Sequence, residues 1–238
     1  ATPEVLRAPG AAAGQDVDGA IERLAGKIGH VCRGDGGPRC IVSAAGQLPV
    51  ARALLAIAKA SEKGKSVLEC RARWHQEDGQ RTRELRFHAE LRYPWTTFKR
   101  KWQALRSTPE GDKIAMLRVT PHTAVHRLAT AMATEERLKG GVILKLDPKN
   151  TAVLYTAAKA LATLPHVAQH AARGSALVCV LRWNQHTEEN TTAKWLYAHV
   201  LPRSADDGDE AADVTRGATV GGGAGGGRAS GAARAAEA

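Results

Sequence analysis

An internal repeat of about 110 residues restricts the fold of this chain more than any other feature of its sequence. Three pairs of segments match in the same order along the chain: Ala58–Ala60 with Ala158–Ala160, Cys70–Gln76 with Cys179–Gln185, and Phe87–Leu91 with Tyr197–Leu201. The middle pair shares the pattern C-x-x-R-W-x-Q at an offset of 109 residues. Because one short match arises easily by chance but three ordered matches do not, the sequence predicts a duplicated structural unit.

The spacing of apolar residues predicts the same order of secondary structure in each unit. In the first unit we expect strands at 4–8 and 39–44, helices at 15–29 and 48–59, and a hairpin at 66–92 around the turn 77–79. In the second unit we expect strands at 115–119 and 142–146, helices at 123–136 and 151–164, and a hairpin at 176–201. Each unit therefore has the order β-α-β-α-β-β, and the predicted fold class is α+β.

Changes in composition predict the boundaries between these units. The first unit covers residues 1–94 and the second covers 113–203, and residues 95–112 form a basic aromatic linker that is either a helix or a loop. From Ser204 onward an acidic cluster is followed by six glycines within 221–227. This composition predicts a flexible Gly/Ala-rich tail at 204–238.

The charge of the chain indicates a polyanionic partner. The formal net charge is +10 and the isoelectric point is near 9.8. The tail holds six acidic residues and three arginines, a net charge of −3, so residues 1–203 carry +13. The positive field therefore belongs to the folded part, and such a field favours nucleic acid or an anionic surface.

Alternation along the first hairpin predicts which side chains face the core. Cys70 and Trp74 fall on one face of the strand, and Arg71 and Arg73 fall on the other. The same parity separates the tryptophan from the arginine in the second hairpin. We therefore expect the tryptophans in the core and the arginines on the outside.

A two-stranded ribbon that carries arginines suits a phosphate backbone, because a guanidinium pairs with phosphate through two hydrogen bonds. Glu84 and Glu90 are predicted on the same outward face. They leave open the alternative that this face is only a solvated surface with incidental charge.

The sequence contains no recognisable catalytic, cofactor or metal motif, so we expect a protein without enzymatic activity, cofactor or metal. The glycine-containing turns match neither the phosphate-loop nor the dinucleotide pattern, and no serine lies in G-x-S-x-G. The histidine pairs 122/126 and 166/170 lack a third ligand, and the four cysteines form no C-x-x-C pair and are interpreted as buried thiols. No apolar segment reaches 18 residues, which argues against a membrane-spanning helix.

Four segments of the first unit occur in an order and spacing typical of one family: Glu4–Arg7, Ile41–Gly46, Val50–Lys59 and the closing hairpin. On these segments, residues 3–94 resemble the stage V sporulation protein S family of the Alba superfamily, and residues 113–203 share the resemblance mainly through the repeat. The resemblance implies a compact α+β nucleic-acid binder that commonly dimerises. Two tandem Alba-like modules in one chain would then pack as a pseudo-dimer.

The resemblance also implies contact residues, because Alba proteins bind through the loop after the first strand, the turn before the second helix, and the hairpin arm. In the first unit these positions are Arg7, then Gly46, Gln47 and Arg52, then Arg71, Arg73, Arg81 and Arg83. In the second unit they are Arg118, then Lys149 and Asn150, then Arg182 and Lys194. The basic linker adds Lys99, Arg100 and Lys101 as candidate contacts. The chain has Ala11–Ala13 where Alba proteins carry paired lysines, which weakens the case for duplex DNA binding of the usual kind.

These observations predict a non-enzymatic RNA-binding or structural protein of a large ribonucleoprotein, which grips phosphate through its hairpin arms with little base specificity. A tail of this composition becomes ordered only against a partner surface, which favours a large particle such as a mitochondrial ribosome. The chain starts at Ala1 and not at Met, which fits a removed targeting segment but leaves the compartment open. The expected location, the mitochondrial matrix, follows from the expected particle.

Two alternatives stay open at this point. The chain is a DNA-binding chromatin or nucleoid protein, or it is a protein–protein scaffold whose basic charge is incidental. The alternative locations are the cytoplasm and the nucleoid.

Overall fold

The computed structural model describes residues 2–10, 16–34, 37–64, 66–76, 83–107, 114–168, 177–188 and 191–203. In chain order the elements are β1 (Glu4–Arg7), α1 (Val17–Val31), β2 (Arg39–Ala44), α2 (Gln47–Lys63), β3 (Ser66–His75), β4 (Glu84–Pro94), α3 (Trp95–Arg106), β5 (Ala115–Arg118), α4 (Val125–Lys139), β6 (Val142–Leu146), α5 (Thr151–Ala168), β7 (Leu177–Glu188) and β8 (Thr191–Pro202). This part of the chain is α+β, as predicted, and the order β-α-β-α-β-β occurs in each half. The predicted turn 77–79, Arg81 and the tail from Ser204 lie outside the described residues.

All of these strands belong to one mixed sheet of eight strands in the order β1-β2-β4-β3-β7-β8-β6-β5. The order reads the same from either edge when each strand is replaced by its equivalent in the other half. The halves meet where β3 pairs antiparallel with β7, with Glu69 opposite Val180 and Cys70 opposite Cys179. Because Cys70 and Cys179 are also equivalent positions of the repeat, an approximate twofold axis passes through this pair.

Helices α1, α2, α4 and α5 cover one face of the sheet and share a single apolar core with its strands. The core residues of the strands have one parity, and they include the fully buried Val42, Phe87, Leu144 and Ala198. Helix α2 contacts β7 and helix α5 contacts β3, so each half covers strands of the other. The small alanine side chains of these two helices allow this close packing. The two predicted units therefore share one core.

The basic aromatic linker folds as helix α3 and packs on the opposite face of the sheet. Phe98 is 2% exposed and belongs to a second apolar cluster with Val67 and Val180. The rings of Phe98 and Trp102 are stacked with centroids 6.1 Å apart. Both rings meet His199 edge-on, at centroid distances of 5.6 and 4.6 Å. These aromatic contacts, together with the packing of Phe98 on Val67 of β3, fix α3 across the junction of the two halves.

A glycine at the end of α4 makes room for α3. Gly140 has φ +71°, in the left-handed region, and its N–H donates to the carbonyl of Glu136 at 2.6 Å. A Cβ added at Gly140 would lie 2.7 Å from Cδ1 of Leu105. The position therefore favours glycine for its backbone conformation, and any Cβ there would force the end of the Leu105 side chain to move.

One of the three matches that indicate the repeat is displaced by one residue in the structure. Phe87 lies opposite Ala72, and the repeat equivalent of Ala72, Leu181, lies opposite Ala198. Phe87 is therefore equivalent to Ala198, and Tyr197 faces the other side of the sheet. Since side chains alternate along a strand, a shift of one residue exchanges the two faces. The match of Phe87 with Tyr197 was wrong.

The predicted core role of the cysteines is confirmed, whereas the tryptophans lie at the margin of the core. All four cysteines are buried and free, and burial raises the pKa of Cys70 to about 12. Trp74 and Trp183 pack against the main core but are only partly buried. Within the described residues, every helix is too short or too polar to cross a membrane.

This difference in burial predicts unequal costs of truncation. Phe87→Ala removes a fully buried ring and is expected to lower the free energy of unfolding by about 3–5 kcal/mol. Trp74→Ala is expected to cost less, because part of the indole is already in water. Urea unfolding curves of the two variants and the parent chain measure both losses, and equal losses would contradict the placement of Trp74.

Candidate nucleic-acid interface

The sheet face opposite α1, α2, α4 and α5, on which α3 packs, is called here the basic face. It carries a group of cations in its first half. Two cross-strand rows define it: Arg7, Ser43, Arg86 and Arg73 in one row, and Val5, Ile41, His88 and Arg71 in the next. We call Arg7, Arg71, Arg73, Arg86 and His88 the arginine patch. The prediction that Arg71 and Arg73 face away from the core is confirmed by this register and by the burial of Cys70.

Two carboxylates are buried beside the arginine patch. Glu90, 6% exposed, accepts hydrogen bonds from Arg39 at 3.1 Å, Arg92 at 3.1 Å and Arg203 at 3.0 Å. The Nε atom of Arg92 lies 3.5 Å from the carboxylate of Glu69, which is 4% exposed. Glu90 therefore binds structural arginines, so the interpretation of Glu90 as a solvated outward charge was wrong.

Two arginines of the patch, Arg71 and Arg73, lack such a partner. Arg71 and Arg73 form no ion pair or hydrogen bond with any described residue, whereas Arg86 pairs with Glu84 at 2.7 Å. Burial lowers the pKa of Arg71, and the nearby Arg203 and Arg73 lower it further. Cations that disfavour one another's charged forms mark a positive potential that an external anion would relieve.

His88 lies in the same potential. Burial lowers the pKa of His88, and the neighbouring Arg73 and Arg71 lower it further, so its imidazole is neutral at pH 7. The patch thus combines the guanidinium groups of Arg71 and Arg73 with an uncharged ring, and both kinds of group can contact a nucleotide.

The second half of the basic face presents cations on aromatic rings. A cross-strand row runs through Arg182, Tyr197, Lys145 and Arg118. The ammonium of Lys145 lies 4.3 Å from the ring centroid of Trp195, and the guanidinium of Arg182 lies 5.8 Å from that of Trp95 in α3. Arg182 and Arg118 are exposed. These cation–π contacts hold the side chains against the surface and leave their charge available.

Helix α3 adds positive charge between the two halves. Lys99 and Arg100 are exposed on its outer side. Lys101 is partly buried, and its ammonium lies 4.6 Å from the ring centroid of Tyr93. Because Phe98 fixes the inner side of the helix on the sheet, these linker cations belong to the basic face.

Three predicted contact residues lie elsewhere. In the helix layer, the exposed Gln47 is the first residue of α2, and the exposed Lys149 lies in the turn before α5. Gln47 donates to the hydroxyl of Thr151 at 2.9 Å. Lys194 pairs in register with Gln185 on the helix side of the sheet, with its ammonium 4.5 Å from the ring centroid of Trp183. The structure therefore divides the predicted residues between two faces.

The role predicted for Arg52 was wrong. Arg52 is 3% exposed, and its guanidinium donates to the carbonyls of Pro9, at 3.0 Å, and Gly10. It ties the segment after β1 to α2, so it is not free to bind phosphate. Arg83 is exposed near the start of β4 and donates to Gln76 at 3.0 Å.

Sequence reasoning missed Lys145 and the structural arginines. The alternation of β6, in which Lys145 stands between the buried Leu144 and Leu146, carried the signal for an outward lysine. The bond between Arg203 and Glu90 joins residues 113 positions apart and has no local signal.

The side chains of this face, guanidinium and ammonium groups beside aromatic rings, are of the types that can pair with anions and stack on planar rings. Among the described residues, no group of three or more His, Cys, Asp or Glu side chains could hold a metal ion. No protein-family model matches the chain, and no curated protein matches it either.

The burial of His199 under α3 predicts a pH dependence of stability. Burial lowers the pKa of His199 to about 3, and Arg182 adds to the effect. The unfolded chain, with an ordinary histidine pKa near 6.5, takes up a proton between about pH 6.5 and 3 that the folded chain does not. This residue therefore makes stability fall as the pH falls through that window, by about 1.4 kcal/mol per pH unit.

His199→Phe keeps a ring between Phe98 and Trp102 and removes the titration. The difference in unfolding free energy between variant and parent is expected to grow in favour of the variant as the pH is lowered from 7 to 4. Parallel stability curves over this range would contradict the neutral, buried state of His199.

Proposed function

We propose that this chain is a non-enzymatic RNA-binding protein built from two tandem Alba-like modules that pack as a pseudo-dimer. The observation that carries the proposal is the arginine patch, where Arg71 and Arg73 lack an acceptor among the described residues. A protein surface that holds unpaired guanidinium groups close together pays a repulsive cost, which phosphate groups offset.

The shape of the surface favours RNA over duplex DNA. The cations lie on a broad sheet face together with Trp195 and Trp95, and the apolar side of α3, the described helix on this face, is packed against the sheet. Sheet faces that combine cations with aromatic rings suit the splayed bases and backbone of single-stranded RNA. A DNA-binding chromatin protein is the alternative, and it predicts tighter binding to duplex DNA than to single-stranded RNA at equal salt.

The double variant Arg71→Ala/Arg73→Ala tests the patch. We expect it to lower RNA affinity and to reduce the slope of log affinity against log salt by about 1.4, because each phosphate contact on a single strand contributes about 0.7. Fluorescence anisotropy with a labelled single-stranded RNA at several salt concentrations measures both quantities.

Arg23→Ala/Arg127→Ala provides a matched control, since these exposed arginines of α1 and α4 lie in the helix layer and the charge change is the same. The control should retain the affinity and slope of the parent chain within a factor of about two. Equal losses in the two double variants would show that net charge alone drives binding, and the patch would be rejected as the interface.

The cellular part of the proposal is a structural role in a large ribonucleoprotein, with a mitochondrial ribosome as the specific candidate. The basic body and the acidic, glycine-rich tail support a protein that contacts both RNA and neighbouring proteins. Crosslinking in cells, followed by sequencing of the bound RNA, is expected to recover ribosomal RNA. Recovery of genomic DNA, or of no nucleic acid, would favour the chromatin or scaffold alternative.

A further inference from the structure

A cavity of about 460 Å³, lined in part by Arg71, opens on the basic face. Its lining includes Ile41 and His88, called here its floor, together with Pro38, Arg39 and Glu90. This volume is in the range of pockets that hold small molecules or single nucleotides.

The cavity carries net positive charge with one unsatisfied donor group. Four guanidiniums, those of Arg39, Arg71, Arg92 and Arg203, lie around the carboxylates of Glu69 and Glu90. Three of these guanidiniums pair with the carboxylates, whereas Arg71 is half-buried and has no acceptor among the described residues. A half-buried guanidinium without an acceptor favours an anionic ligand.

The floor of the cavity has a structural equivalent in the second half of the chain. Ile41, His88 and Arg71 lie side by side on β2, β4 and β3. The equivalent row consists of Ile143, His199 and Val180 on β6, β8 and β7. The two rows therefore share isoleucine and histidine and differ at one position, where Arg71 replaces valine.

The second row is already covered by aromatic rings. Trp102 and Phe98 of α3 lie edge-on to His199, and Phe98 packs with Val180. The first row has the same Ile–His floor but opens into the cavity. The structure thus shows that such a floor accepts planar rings, and in the first half the adjacent side chain is a guanidinium suited to phosphate.

We infer that this cavity binds one unpaired nucleotide, with its phosphate on Arg71 and its base against His88 and Ile41. The inference rests on the proposed RNA-binding function and deepens it, because only a nucleotide outside a duplex can place its base in the cavity. The surrounding arginine patch would hold the neighbouring phosphates, and the cavity would select single-stranded over paired RNA.

Arg71→Gln and Arg23→Gln separate the cavity from the general charge of the chain. Both remove one positive charge, but Arg71 lines the cavity, whereas the exposed Arg23 lies on α1 in the helix layer. With adenosine monophosphate as probe, in calorimetry or NMR titration, we expect Arg71→Gln and His88→Leu each to weaken binding at least tenfold. Arg23→Gln should stay within twofold of the parent chain, and thermal unfolding checks that each variant is folded.

Inorganic phosphate and a duplex RNA complete the test. The parent chain is expected to bind adenosine monophosphate at least tenfold more tightly than phosphate, and Arg71→Gln should cost more affinity for a single-stranded RNA than for the duplex. No binding of the mononucleotide, equal affinity for phosphate, or equal losses in the two glutamine variants would overturn the inference. If single-stranded RNA still bound through the patch, the proposed function would survive that failure; if RNA did not bind at all, both would fall.

Discussion

The antiparallel contact between β3 and β7 is the constraint on which the rest of the molecule depends. It joins the two halves into one sheet, yet its register covers only Glu69 opposite Val180 and Cys70 opposite Cys179. So short a ladder contributes little by itself, because each backbone hydrogen bond adds only about 1 kcal/mol net. The junction is held mainly by α2 on β7 and α5 on β3, whose exchanged packing gives the halves a common core.

The sequence allowed the element order and the faces of the first hairpin to be predicted, because both follow from local periodicity. The burial of Arg52 and Glu90 was not predictable in this way. Arg52 is buried where it donates hydrogen bonds to the backbone carbonyls of Pro9 and Gly10, which lie 43 and 42 positions earlier in the chain. Glu90 is buried where it accepts a hydrogen bond from Arg203, which lies at the end of the second half. An arginine-rich pattern identifies cations but not which of them the fold already uses.

The repeat itself shows the limit of matching residue identities. The first hairpin strands keep one offset from Cys70 to Trp74, whereas the second strands are offset by 111, so that His88 and not its neighbour is equivalent to His199. A comparison at an offset of 110 aligned Phe87 with Tyr197 and concealed the shared histidine. Only the cross-strand register shows that both halves carry the same Ile–His floor, since cross-strand position is set by pairing and not by chain separation.

One side chain on these equivalent floors explains why the halves differ. Helix α3 follows β4 of the first half directly, and its apolar side packs on Val67 of β3 as well as on Val180 and His199 of the second half. Covering Val180 stabilises the docked helix by about 1.5–3 kcal/mol, whereas covering Arg71 with the same aromatic rings would strip water from an unpaired charge at a cost of several kcal/mol. The valine of the second half therefore allows α3 to cover its row, whereas Arg71 keeps the equivalent row of the first half uncovered. The Ile41–His88 floor of the first half therefore stays open to solvent beside the cation of Arg71, and this surface is available to a ligand.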